Sequence, residues 1–238
     1  MLRYLYTFTI SFLASLCAYA QVNLGIGGEI GFPLMFNRTV GDYHHSLASP
    51  GLRATVSYTP QEATFVPSAT FSLSSIHLPI ERLSSDNFLF MTFAAYTVTL
   101  NGRLRKQFDK KELLYGLGVG VTYLNGTGVG ASGRNSSSFQ FRDFVADSSE
   151  FITMVLPAIN INAEYIFPIS SQVPLYAGIG GQLQYSYFYN RGREYKMGII
   201  DMNGSYYALQ PRLYGHMINP ILFLNIYYKF GNRNDGYY

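Results

Sequence analysis

After residue 21 the chain repeats a two-residue rhythm eight times, with one side of each segment apolar and the other small, polar and nearly uncharged. Strand side chains alternate between faces, so each run defines two distinct surfaces. The fifth run shows the rule most sharply. Leu113, Tyr115, Leu117, Val119, Val121 and Tyr123 share one face, and Gly116, Gly118, Gly120 and Thr122 share the other. Residues 22–36, 52–58, 65–73, 88–101, 155–167, 175–189 and 222–230 follow the same plan. No 3.6-residue helical period competes anywhere along the chain.

The first twenty residues stand apart. Arg3, the apolar stretch from Leu5 to Leu16 and Ala18-Tyr19-Ala20 have the order of a secretory signal peptide, which places cleavage before Gln21. The apolar core is too short for a membrane helix, which takes about 20 residues. The single cysteine, Cys17, lies inside this leader behind Leu16, a poor context for a lipid anchor. The exported chain is therefore expected to have no disulfide and no cysteine-based metal or redox site. Residues 21–230 make one domain and 231–238 a short tail.

Connection lengths give the topology. Gaps between runs alternate: 37–49, 75–87, 125–151 and 190–219 are long, whereas 60–64, 103–112 and 168–172 are short or moderate. An all-β, closed, antiparallel up-and-down transmembrane barrel of eight strands reproduces that alternation. Ten strands stay open, because 139–144 and 206–214 are themselves partly alternating.

Charge decides which face points outward. Charged residues make up 13% of the chain, against about 25% in ordinary soluble domains. The polar faces of the eight runs carry Glu29, Arg53, Arg103, Glu164 and Lys229. A water-facing wall needs far more charge than that. The polar faces therefore line the inside, where Glu29 and Glu164 pair with Arg53, Arg103 or Lys229, and the apolar faces meet lipid. Aromatic residues near the run ends, among them Phe36, Tyr58, Phe65, Tyr165 and Phe230, suit interfacial girdles. A net charge of +3, or +2 without Arg3, gives no case for nucleic acid as a partner.

The leader ending at Ala20, the eight runs and the aromatic finish from Asn225 to Phe230 resemble small outer-membrane β-barrels of the OmpA, OmpX and OmpW kind. The style is closest to the outer-membrane barrel families common in Bacteroidota, which include PorT-like proteins. The resemblance implies a Gram-negative outer-membrane location and contact with outer-membrane lipid. It also implies insertion by the barrel-assembly machinery, which reads an aromatic signal similar to Tyr228-x-Phe230. That signal usually closes the chain, whereas Gly231 to Tyr238 follow it here. A role as a secretion or envelope-assembly subunit with a protein partner is implied by the same likeness.

Motifs for chemistry are sparse. His44, His45, His77 and His216 fall at the long-loop end, as do Asp42, Asp86, Asp143, Asp147 and Asp201, in no spacing that matches a metal or catalytic motif. Gly25-x-Gly27-Gly28 and Gly178-x-Gly180-Gly181 lie within strand runs with no helix after them, so they are inward or close-approach glycines rather than phosphate loops. Four Asn-x-Ser/Thr sequons, at Asn37, Asn125, Asn135 and Asn203, carry no weight in a bacterial outer membrane. Phe139, Phe141 and Phe144 make residues 125–151 a candidate docking loop. The expectation is a non-enzymatic barrel without cofactor or metal, acting through its loops and wall. A narrow or laterally opening channel for small apolar molecules is the first rival, and a loop-sited hydrolase the second.

Overall fold

Alternation becomes pairing in the computed structural model, which describes residues 20–37, 44–45, 48–60, 64–82, 87–133, 141–146, 153–189, 197–201, 206–209 and 214–230. Eight strands make the wall: β1 (Ala20–Gly31), β2 (Ser49–Pro60), β3 (Phe65–Arg82), β4 (Asn87–Phe108), β5 (Lys111–Gly133), β6 (Thr153–Pro168), β7 (Leu175–Tyr189) and β8 (Tyr214–Phe230). Each is antiparallel to the next. β8 then pairs back onto β1, from Val22↔Phe230 to Gly31↔Ile221, so the sheet closes.

The strand count is eight, not ten. Phe141–Ala146 and Tyr206–Leu209 do form strands, but with Met197–Asp201 they build a separate three-stranded sheet. Three other boundaries also differ from the sequence pattern. Most of 75–87 is strand, because β3 and β4 stay paired up to Arg82↔Phe88. Their inner faces turn apolar there, at Ile76, Leu78, Met91 and Phe93, which hides the polarity rhythm without ending the strand. Residues 103–112 are strand apart from a two-residue turn at Asp109-Lys110, where Asp109 takes φ 56°, a left-handed conformation that aspartate tolerates. β5 likewise runs on to Gly133 through what looked like loop. The leader before Ala20, the tail 231–238, Asp42, Asp86, Asp147, Phe139 and two of the sequons lie outside the described residues.

After β1 the chain steps off at Phe32-Pro33. Pro33 has no N–H to continue the ladder, and the Phe32 amide donates to the Pro220 carbonyl at 2.8 Å. Leu34–Asn37 then resumes pairing along β8, and His44–His45 folds back on it.

The faces fall as charge required. Outward Ile26, Leu52, Leu100, Leu117, Val119, Ile159, Ile179 and Leu222 are each more than half exposed. No water-soluble surface carries so continuous an apolar band. Inward residues are buried, and polar side chains run from the middle of the lumen to Asn23, Glu112 and Lys229 at the end with short turns. The end with short turns holds Val66, Leu114, Ile166 and Tyr227, with Tyr176 packed against them. The middle is polar. The end with long loops is filled by Met35, Ile76, Leu78, Met91, Phe93, Leu124 and Met217, all buried.

Substituting Val119→Arg on the outward face (62% exposed) tests the assignment. It is expected to cost ~2–4 kcal/mol if that position meets mid-bilayer hydrocarbon. Urea titration of the protein folded in lipid vesicles reads the loss.

Candidate functional site

The five charged residues read from the inward faces all lie in the lumen. Strand register brings them together in pairs. Arg103 on β4 pairs with Gly116 of β5, a residue with no side chain to block it, and Glu164 on β6 pairs with Leu114 two positions along the same strand. Arg103 Nη1 donates to Glu164 Oε2 at 2.8 Å, with both side chains buried. The other oxygen, Oε1, accepts from Asn225 Nδ2 at 2.9 Å and from the Tyr227 hydroxyl at 2.8 Å. One carboxylate therefore ties β4, β6 and β8 across the lumen.

Arg53 and Glu29 approach at 3.6 Å on neighbouring strands. Arg53 also donates to Gln182 Oε1 at 3.4 Å, and its guanidinium lies 3.8 Å from the centroid of the Phe223 ring. This arginine links β2 to β7 and β8.

Lys229 takes a partner outside the predicted set. Its ammonium donates to Glu112 Oε1 at 2.8 Å and sits 4.0 Å from the Tyr176 ring centroid. The spacing of the runs places Glu112 in the 103–112 connection. Its parity with Gly116, Gly118 and Gly120 was the available signal, since an even position on the fifth run points inward.

Neutral polar residues join these pairs into a belt. Gln182 donates to Gln184, which donates to Thr122, which bonds Thr97 at 2.9 Å. Asn162 donates to Asn160 and to Asn101. Thr55 bonds Thr70 at 3.2 Å, and Asn23 donates to Ser57 and Thr59. In a low-dielectric interior an unpaired polar group is costly, so such a belt fixes its members' positions.

Two glycines show how tightly the lumen is filled. A Cβ on Gly25 would fall 2.3 Å from the Tyr227 ring, its direct cross-strand partner. One on Gly180 would fall 2.5 Å from the ring of Phe223, again its direct partner. The inward glycines thus make room for the two aromatic rings that cross the barrel.

The two histidines whose side chains are described lie on different strands. His77 is on β3 and His216 on β8. His77 Nδ1 and the Thr92 hydroxyl are 3.0 Å apart, and the Tyr185 hydroxyl and His216 Nδ1 are 2.6 Å apart. The side chains of His44, His45, Asp143 and Asp201 are not among those described. Among the described residues, no group of three His, Cys, Asp or Glu is arranged to hold a metal ion.

A closed eight-stranded barrel with a side-chain-filled, ion-paired interior is the class that this geometry defines. No protein-family model matches the chain, and no curated protein does. Among solved structures it is similar to Neisserial surface protein A, at 7% identity and TM-score 0.45 over 87% of this chain and 97% of that one. It is also similar to a major outer membrane protein from Thermus thermophilus, at 10% identity and TM-score 0.44 over 88% and 99%. The outer membrane protease OmpT from Escherichia coli matches at 8% identity and TM-score 0.28 over 89% and 96%. These likenesses are of fold alone, and no residue role is transferred from them.

Arg103→Met is expected to destabilise the barrel by ~3–5 kcal/mol, since it leaves a buried carboxylate without its cation. Arg103→Met combined with Glu164→Leu should lose less than the single change, because no uncompensated charge remains. Equilibrium unfolding in vesicles compares the two.

Proposed function

We propose that the chain is an integral outer-membrane barrel that does not conduct and is not an enzyme. In this reading it works as a structural or accessory subunit through its loop-end segments and lipid-facing wall. The filling of the lumen by buried side chains is the observation that carries the reading. An aqueous path needs a continuous polar route from end to end. Here the lumen is filled by buried side chains along its length: Val66, Leu114, Ile166 and Tyr227 pack beside the Lys229–Glu112 pair at one end, and Met35, Leu78, Phe93, Leu124 and Met217 fill the other. An eight-stranded cylinder is just wide enough for side chains to fill it in this way.

The outward face supports this location. Hydrocarbon is the medium in which an uncharged wall of leucine, isoleucine and valine is stable, and a closed sheet leaves it no unpaired backbone. The outer membrane is where bacterial barrels of this size reside, and the signal-peptide pattern of residues 1–20 supplies the route. Roles in secretion or envelope assembly, membership of Bacteroidota families and a protein partner belong to the same proposal. They rest on the resemblance of the sequence, and fold by itself fixes no function.

Reconstitution into a planar bilayer tests the reading. The protein is expected to give no stepwise conductance under applied voltage. Discrete channel openings would favour the transport alternative, in which the belt opens to small molecules. On a detergent gel, unboiled protein is expected to migrate differently from boiled protein, as a closed barrel resists unfolding. Identical mobility would count against closure.

A further inference from the structure

The outward wall is uncharged over nearly its whole described area, and the exception is local. Among the residues whose side chains are described, the outward faces of the eight strands carry charge only at Lys106 on β4 and Lys111 on β5, just above the Asp109-Lys110 turn. Each lysine faces an apolar residue across the ladder: the register pairs Leu104 with Tyr115, Lys106 with Leu113 and Phe108 with Lys111. On the next strand, Leu113 pairs with Tyr165 and Glu112 with Ile166, which brings Phe167 to the far side of Lys111. The two ammonium groups therefore alternate with Leu104, Phe108, Leu113, Tyr165 and Phe167 in one continuous outward patch. The Lys106 ammonium lies 5.2 Å from the Phe108 ring centroid. Phe108 and Leu104 are 46% and 47% exposed.

The aromatic neighbours of this patch set its depth on the wall. Tyrosine and phenylalanine on a barrel wall mark the boundary between hydrocarbon and head groups. The rows holding the lysines lie ~5 and ~10 Å below the Phe65–Leu104–Tyr115 row, from a strand rise of about 3.3 Å per residue and the usual tilt. Long aliphatic stems allow lysines there to rest on apolar surface while the charge reaches outward. The turn itself is braced by Arg105, which donates to Gln107 Oε1 at 2.6 Å, and by Gln107, which donates to the Asp109 carbonyl at 3.2 Å. The cations thus sit on a hydrogen-bonded hairpin beside the aromatic rows.

We infer that the β4–β5 hairpin is a seat for anionic phospholipid, with Lys106 and Lys111 binding the head-group phosphate and Leu104, Phe108, Leu113 and Phe167 packing its glycerol and upper acyl carbons. The inference rests on the lipid-wall reading above and adds selectivity for one class of lipid on one flank of the barrel. Phospholipid is favoured over an acidic cell-wall polymer because the cations are embedded among lipid-facing side chains rather than projecting beyond them.

The full chain, folded into phosphatidylcholine vesicles containing a minor fraction of phosphatidylglycerol, is examined with spin-labelled forms of each lipid. Electron paramagnetic resonance of the motionally restricted component gives their relative affinity for the barrel surface. The native protein is expected to prefer phosphatidylglycerol. The preference should fall about fivefold for each lysine replaced in Lys106→Gln and Lys111→Gln, since a lysine near an anionic surface contributes ~1 kcal/mol. It should also weaken in high salt and return in the Lys106→Arg, Lys111→Arg variant. Both positions are exposed, so these changes leave the fold intact. Equal selectivity in the glutamine variants overturns the inference, as does a native protein with none. Binding to isolated peptidoglycan that depends on these lysines, without lipid selectivity, would move the site to the cell wall. Failure to insert into vesicles would overturn the lipid-wall reading as well, whereas insertion without selectivity overturns this inference alone.

Discussion

Backbone hydrogen bonding without water is the constraint on which the rest of this structure depends. A strand that meets hydrocarbon on its outer side must find every N–H and C=O partner in neighbouring strands. The ladder from β1 to β8 and back to β1 does this, and closure removes the edges that an open sheet would expose. Once the sheet closes at eight strands, the interior is narrow. Side-chain volume and pairing then govern which residues occupy the inward positions.

That confinement explains the inverted composition. Outward positions have only to be compatible with lipid, so leucine, valine, isoleucine and tyrosine recur with little distinction between them. Inward positions must interlock. Tyr227 lies against Gly25, and Phe223 against Gly180 and the Arg53 guanidinium. Glu164 receives bonds from three residues on two strands. A polar network of this kind contributes less to stability than an apolar core of equal volume would, but it penalises any register in which one member loses its partner. In a barrel, where a one-residue slip would turn the polar set toward lipid, that penalty helps define a single register.

Much of this is visible in the sequence, for identifiable reasons. The fold class and the inward set Glu29, Arg53, Arg103, Glu164 and Lys229 follow from parity alone, because period two is a property of each strand by itself. Partner choice is less visible. Lys229 reaches Glu112 through a register across the lumen that no local pattern encodes, and Glu112 sits in a charged stretch that looks like loop. Asn225 and Tyr227 fall at inward positions, yet only the approach of β6 to β8 across the lumen shows that they serve Glu164. Strand ends are obscured in the same way. Past Ser74 the inner face of β3 becomes apolar at Ile76 and Leu78, so the polarity contrast disappears while the hydrogen-bonded ladder continues. At the other end, Lys106 and Lys111 enter the outward rows among Leu104, Phe108 and Leu113, so the apolar rhythm breaks although the strand geometry is unchanged.

The central claim, that lipid rather than water contacts the apolar side, is tested most directly by a nitroxide scan of residues 96–101 on β4. Single cysteines are introduced one at a time, and the label's collision rates with oxygen, which partitions into lipid, and with a water-soluble nickel chelate are measured. The account predicts a strict period of two: labels at 96, 98 and 100 collide freely with oxygen and poorly with nickel, and labels at 97, 99 and 101 are shielded from both. Nickel access at 98 and 100 matching that of a free aqueous label would contradict it.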